Sequence, residues 1–299
     1  MEIDFNEAQE LLGKYQMSRL KELTLISVES FDLLNQFPYK MPNLQKLKFI
    51  SSYFKELVPR ENIAQQKGLG IVLQLKELVF MNSTMKHLGF DGGQVLERLE
   101  LLSLEECNEL TNLGPSSLSF TYLTYLELKN CWRLRNLMES STAKSMVQLK
   151  TMKVINCPNI EEIVSNGGNK EGKVMKIVFS KLISIELVGL KNMRSFCSYN
   201  ECEFKFPSLE ILIVRECAKM EKFSEREPIA PKLKDVFGVE GNEKAKWEWE
   251  GDLNVTIQKI FNDKVLILLF IYLMLFLLIL LTFLEKKQDW KLEIVVFSS

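Results

Sequence analysis

The sequence predicts an α/β leucine-rich-repeat solenoid, a curved horseshoe with parallel strands on its concave face, followed by one C-terminal hydrophobic helix. Three observations predict it. The pattern L-x-x-L-x-L-x-x-C-x-x-L-x-x-L recurs, most clearly from Leu99, Leu123, Leu149 and Leu209, which is the signature of a unit made of one short strand and a return segment. Looser copies in the same frame start at Leu20, Leu44, Leu75, Leu182 and Leu233, and first-leucine spacings by subtraction are 24, 31, 24, 24, 26, 33, 27 and 24. Beyond the last copy, Val265 to Leu284 runs for twenty residues without a charge.

Residues 1–19 are a lead-in. Its opening carries Glu2, Asp4 and Glu7 with no basic stretch before an apolar run, so it does not read as a secretory signal. Residues 20–262 form a solenoid of about nine repeats. Within each, the last two leucines of L-x-x-L-x-L are two apart, the period of a strand with one buried face. One unit cannot bury its own leucines, so the units stack into a continuous core in which each touches its neighbours. Two repeats carry extra residues, near Arg60 to Gly70 and Ser165 to Lys176, rich in Gly, Asn, Gln and Lys. They read as loops on the return side, where added length costs little entropy.

Four of the six cysteines, Cys107, Cys131, Cys157 and Cys217, fall three residues after the last strand leucine, where this repeat type uses Asn or Cys at the turn out of the strand. They read as structural. The C-x-x-C spacing of a zinc site is absent, and Cys197 and Cys202 stand five apart in a loop with a weak redox or metal signal. Unpaired buried thiols fit a reducing compartment.

The chain of 299 residues has a formal net charge of -1, so bulk charge points to neither nucleic acid nor an acidic substrate. His87, the one histidine, has no nucleophile or carboxylate at recognisable spacing, and no phosphate-binding loop or H-E-x-x-H occurs. The chain therefore does not read as an enzyme, and it calls for no cofactor and no metal. The sequons at Asn82 and Asn254 carry no weight without secretion.

Residues 265–284 read as a transmembrane helix, because twenty residues at a rise of about 1.5 Å span the hydrocarbon core of a bilayer. The run is apolar on all sides, unlike a surface helix. Lys259 and Lys264 precede it, and Lys286, Lys287 and Lys291 follow, a balance that leaves orientation open. Residues 285–299 are a short polar tail. The expectation is cytoplasmic repeats anchored by this helix. All of residues 265–284 but Tyr272 and Thr282 are Val, Leu, Ile, Phe or Met, residues whose codons carry U at the middle position, so a translated intron is an alternative origin.

The outward strand positions form three columns, and from them the partner-binding candidates are Lys48, Val79, Ser103, Tyr125, Glu127, Lys129, Lys153, Ile155, Glu186, Ile213 and Arg215. The third column is largely apolar, with Ile26, Ile50, Met81, Ile155 and Val188, and an exposed apolar strip is a usual mark of a partner surface.

The stretches LKNCWRLRNLMESSTAKSMVQLKTMKVINCPNIEEIV, FKFPSLEILIVRECAKMEKFS and APKLKDV with WEWEGDLNVTIQKIF carry a resemblance. From about Leu20 to Phe261 the chain resembles the C-terminal repeats of plant coiled-coil, nucleotide-binding, leucine-rich-repeat disease-resistance proteins. The resemblance implies a protein-recognition module in innate immunity, facing a pathogen effector, a guarded host protein or a separate immune-receptor domain. The coiled coil and nucleotide-binding switch of that family have no counterpart here, so the expectation is a truncated recognition module. Two other readings stand beside it. One is a substrate adaptor of a ubiquitin ligase, although its adaptor-binding segment should precede the first repeat. The other is a non-functional gene fragment.

Overall fold

The computed structural model describes residues 1–29, 37–54, 75–88, 96, 98–114, 118–167, 174–238, 246–247 and 249–296. It divides into two units, residues 1–257 and 258–299.

An eleven-stranded sheet runs through the first unit. It opens with β1 (Glu2–Asp4), followed by α1 (Phe5–Lys14). The repeat strands are β2 (Glu22–Ile26), β3 (Lys46–Ser52), β4 (Glu77–Ser83), β5 (Leu101–Glu105), β6 (Tyr125–Lys129), β8 (Thr151–Ile155), β11 (Ser184–Val188), β13 (Ile211–Arg215) and β14 (Asp235–Phe237). Each pairs in parallel with the next. Along a strand such as β6, half-buried and buried residues alternate, as the leucine period requires. Leu102, Leu104, Leu126 and Leu128 are fully enclosed, because each is roofed by the equivalent residues of the repeats on either side.

Among the described residues the return side contains little helix. It holds α2 (Phe37–Lys40), α3 (Ser140–Ser145) and short parallel strands: β7 (Asn136–Glu139) with β9 (Glu162–Ser165), and β10 (Met175–Val178) with β12 (Cys202–Lys205). The expected loop from Ser165 to Lys176 therefore begins and ends in strands, and residues 168–173 lie outside the described residues. So does the expected loop from Arg60 to Gly70. Cys202 opens β12 and Cys197 bridges to Ser224, so this pair is not in an irregular loop: main-chain pairing on the return side holds both thiols inside. Under these repeats lies an aromatic cluster, with Phe179 stacked on Phe206 at 5.5 Å and Phe196 on Phe223 at 4.8 Å. Phe49 and Phe80 stack at 4.8 Å nearer the N-terminus.

The two ends of the ladder are finished differently. In the lead-in, β1 adds a parallel strand to β2, and α1, capped by Asp4 accepting a hydrogen bond from the Glu7 N–H at 2.8 Å, buries Ala8 and Leu12. At the other end β15 (Lys246–Trp247) pairs antiparallel with β14 and stops the parallel order. On the return side the Asn254 side chain acts as a strand edge. Its Oδ1 accepts from the Phe223 and Ser224 N–H groups at 2.9 and 3.0 Å, and its Nδ2 donates to the Ser224 carbonyl at 2.9 Å.

Helix α4 (Leu253–Val296) starts in the first unit, where Asp252 Oδ1 accepts from the Val255 N–H at 2.7 Å. It makes up the described part of the second. Among the described residues, Leu253–Phe283 is one helix long and apolar enough to cross a membrane, and its side chains from Val265 to Phe283 stand exposed.

Candidate partner-binding face

The turn out of each strand sets the geometry of the outward face. Ser27, Ser51, Asn82, Glu106, Asn130, Asn156 and Glu216 all adopt a left-handed backbone, with φ between 51° and 55°, and Gly189 does so at 68°. Each directly follows the last outward residue of its strand. Five of their N–H groups donate to a carbonyl of the next repeat: Ser27 to Ile50 at 2.9 Å, Glu106 to Lys129 at 2.9 Å, Asn130 to Ile155 at 3.0 Å, Asn156 to Val188 at 2.8 Å and Gly189 to Arg215 at 3.0 Å. Sequence reasoning missed this row, although Asn and Gly at equivalent positions are the residues that accept a left-handed backbone most readily.

The next residue inward is the cysteine position. Cys131 donates to the Lys129 carbonyl at 3.3 Å and the Leu104 carbonyl at 3.7 Å, and Cys217 to those of Arg215 at 3.2 Å and Leu187 at 3.6 Å. Each thiol thus closes its own turn and can reach back to the preceding strand. In earlier repeats Ser52 and Ser83 take this place, with their hydroxyls bonded at 2.8 Å. The hydrogen bond with Cys107 pushes the Cys131 thiol well above its ordinary value against an opposing one with Cys157, the hydrogen bond with Cys131 does the same for Cys157, and burial adds to both. None of the six cysteines forms a disulfide, and all six are buried. Hydrogen bonding from Cys197 pulls the Cys202 thiol down, and the same bond with burial pushes Cys197 up.

With the turns in one row, the outward residues align in the expected columns. Lys48, Val79, Ser103, Glu127, Lys153, Glu186 and Ile213 are successive register partners across β3, β4, β5, β6, β8, β11 and β13. Tyr125 stands in the first column, and Lys129, Ile155 and Arg215 in the third. All eleven are half-buried.

The central charges compensate one another. Glu127 pairs with Lys129 at 3.1 Å and accepts from Ser103 Oγ at 3.3 Å. Burial, and then the charge and hydrogen bond of Glu127, push the Tyr125 phenol up, while the hydrogen bond to Glu127 raises Lys129. Lys153 pairs with Glu186 at 3.2 Å and Lys46 with Glu77 at 2.8 Å. Toward β14 the face turns apolar, through Ile155, Val188, Ile213 and Phe237. Phe237 is a further face residue that the degenerate last repeat concealed. No three His, Cys, Asp or Glu side chains converge as a metal site among the described residues.

The model of the leucine-rich repeats of RPS2-like plant disease-resistance proteins matches residues 4–158 and 117–227. The chain belongs to that family. The matched residues run from α1 through β13, so the ladder, its turns and nearly all of the outward face are family structure, whereas α4 lies outside the match. No curated protein matches the chain.

Proposed function

We propose that this RPS2-like repeat region is a protein-recognition module of plant innate immunity, binding through the outward strand face. The observation that carries the reading is the set of three in-register columns, polar in the middle and apolar toward β14, on a rigid ladder of strands. Such a surface suits a broad protein partner, because it offers many small contacts held by a stacked core. We read it as binding rather than catalysing. The partners that fit are a pathogen effector, a guarded host protein or another immune-receptor domain. The family match gives no support to a ligase-adaptor role. The apolar part of α4 supports anchoring of the repeats at a membrane, with the repeats on the cytosolic side where free thiols persist.

Charge swaps within the ion pairs test the face. Glu127→Lys with Lys129→Glu, and Lys153→Glu with Glu186→Lys, keep each pair and invert its direction. The set of plant proteins captured quantitatively by the full chain should change, while the urea midpoint stays within about 0.5 kcal/mol of the parent. Unchanged capture with an intact fold would remove the face from the reading. Carbonate extraction of membranes tests the anchor: the full chain should stay with the lipid, and deletion of 265–299 should release it.

A further inference from the structure

We infer that the β13 end of the outward face is a subsite for a carboxylate flanked by apolar side chains, presented by an extended segment of a partner protein, with Arg215 as its receptor. This rests on the face being the binding surface and names the chemistry it selects.

The strand β13 reads Ile-Leu-Ile-Val-Arg. Leu212 and Val214 fill the core, yet the outward Ile211 and Ile213 are apolar as well. Strands apolar on both faces are those covered on both faces. The patch extends through register neighbours: Val188 lies beside Arg215, Ile155 beside Val188, and Phe237 beside Ile213.

Arg215 stands within this patch. Lys46, Lys129 and Lys153 each have a carboxylate within 4 Å, but among the described residues none lies at ion-pair distance from Arg215, and the nearby Glu186 is held by Lys153. The Arg215 Nε is buried without a hydrogen-bond acceptor. An unmet buried N–H costs free energy that an arriving acceptor recovers. A guanidinium fork accepts a carboxylate through two parallel hydrogen bonds, and it gives up its weak hydration readily. Charge complementarity therefore selects an acidic side chain, and the surrounding isoleucines, valine and phenylalanine select apolar neighbours two residues away on either side, the spacing of an extended strand.

Fluorescein-labelled nonapeptides provide the test. Each carries a central Glu with Leu, Ile or Phe two residues away on both sides, and each has a twin with central Gln. Their anisotropy is read against the full chain in detergent micelles, with empty micelles as the baseline. Glu peptides should bind at least about tenfold more tightly than their twins. Arg215→Gln should abolish that ratio, Arg215→Lys should retain part of it, and Ile213→Thr should weaken both twins alike. Equal binding of the twins, no binding above empty micelles, or a ratio that survives Arg215→Gln overturns the subsite. The broader reading fails separately, if the central charge swaps leave the captured partners unchanged. Because Arg215→Gln removes a buried unmet donor, its unfolding midpoint should equal or exceed the parent's, so lost selectivity is not lost folding.

Discussion

Gly189 lies against the backbone of Asn156 so closely that a Cβ on it would meet the Asn156 Cα at 3.2 Å and its N at 3.3 Å, with the side-chain Oδ1 nearer still. The two occupy the same left-handed turn in successive repeats. Here the row of turns is packed as tightly as its backbone allows, and the residue type at each step carries a definite energetic sign.

Gly189→Ala should destabilise the solenoid by about 1 to 3 kcal/mol, since it adds both a left-handed backbone penalty and a close contact. Glu106→Asn and Glu216→Asn should move stability the other way by a few tenths to about 1 kcal/mol, because Asn tolerates the φ of 55° and 51° found there better than Glu does. Urea midpoints of the full chain in micelles read both signs, and a stable Gly189→Ala variant would show that the turn can relax.

The cysteine row predicts an alkaline limit. Neighbouring-thiol hydrogen bonds and burial raise the folded-state values of Cys131 and Cys157 above the ordinary 9.0, so the folded chain holds protons that the unfolded chain releases. Their stabilisation is fully present below pH 9 and declines above it, by up to about 1.4 kcal/mol per pH unit for each thiol. The Cys131→Ala, Cys157→Ala double variant should be less stable at pH 7 and show a shallower decline from pH 9 to 10. Thiol labelling of the native chain at pH 8 should be slow for Cys107, Cys131, Cys157 and Cys217.

Leu126→Ala should cost about 2 to 5 kcal/mol, because Leu126 has no exposed surface and the flanking repeats cannot close over the cavity. Thr151, on the outward face of the adjoining strand, should tolerate Ala within about 0.5 kcal/mol. Chemical unfolding of the two variants side by side checks the inward and outward assignment of the columns.

Asn254→Ala should lower stability by about 1 to 3 kcal/mol, since it strips acceptors from two backbone N–H groups and a donor from one carbonyl at partly buried sites. The same bonding occupies the amide nitrogen of the Asn-Val-Thr sequon. When the chain is directed into a glycosylating compartment, Asn82, which is exposed, should be modified in the folded state ahead of Asn254. Mass spectrometry of the two peptides reads the difference.

The strand frame was legible because a buried column repeated at a near-constant interval leaves one register for stacking: Leu102, Leu126 and Met152 are partners in space as they are in the pattern. The lead-in strand β1 was not legible, since Glu2–Asp4 offers a single apolar residue and owes its place to the open edge of β2. β15 was hidden for a similar reason, as antiparallel pairing to β14 follows no repeat rule. Among the face residues, Phe237 escaped because its repeat has lost most of its leucines.

Charge shows the sharpest division. Sequence placed Glu127, Lys129, Lys153 and Glu186 on one surface, where their alternation reads as a solvated mixed face. Only the folded chain decided that Glu127 belongs to Lys129, two residues along its own strand, and Lys153 to Glu186 across to the next. A reversal of Glu127 with Lys153 would therefore break two pairs instead of inverting one. The sequence by itself determined which side of each strand a residue faces, because side-chain direction alternates locally with period two. The tertiary structure decided which neighbours each residue meets and which polar groups remain unmet, Arg215 Nε among them, because those depend on side-chain reach across strands separated by 24 or more residues of chain.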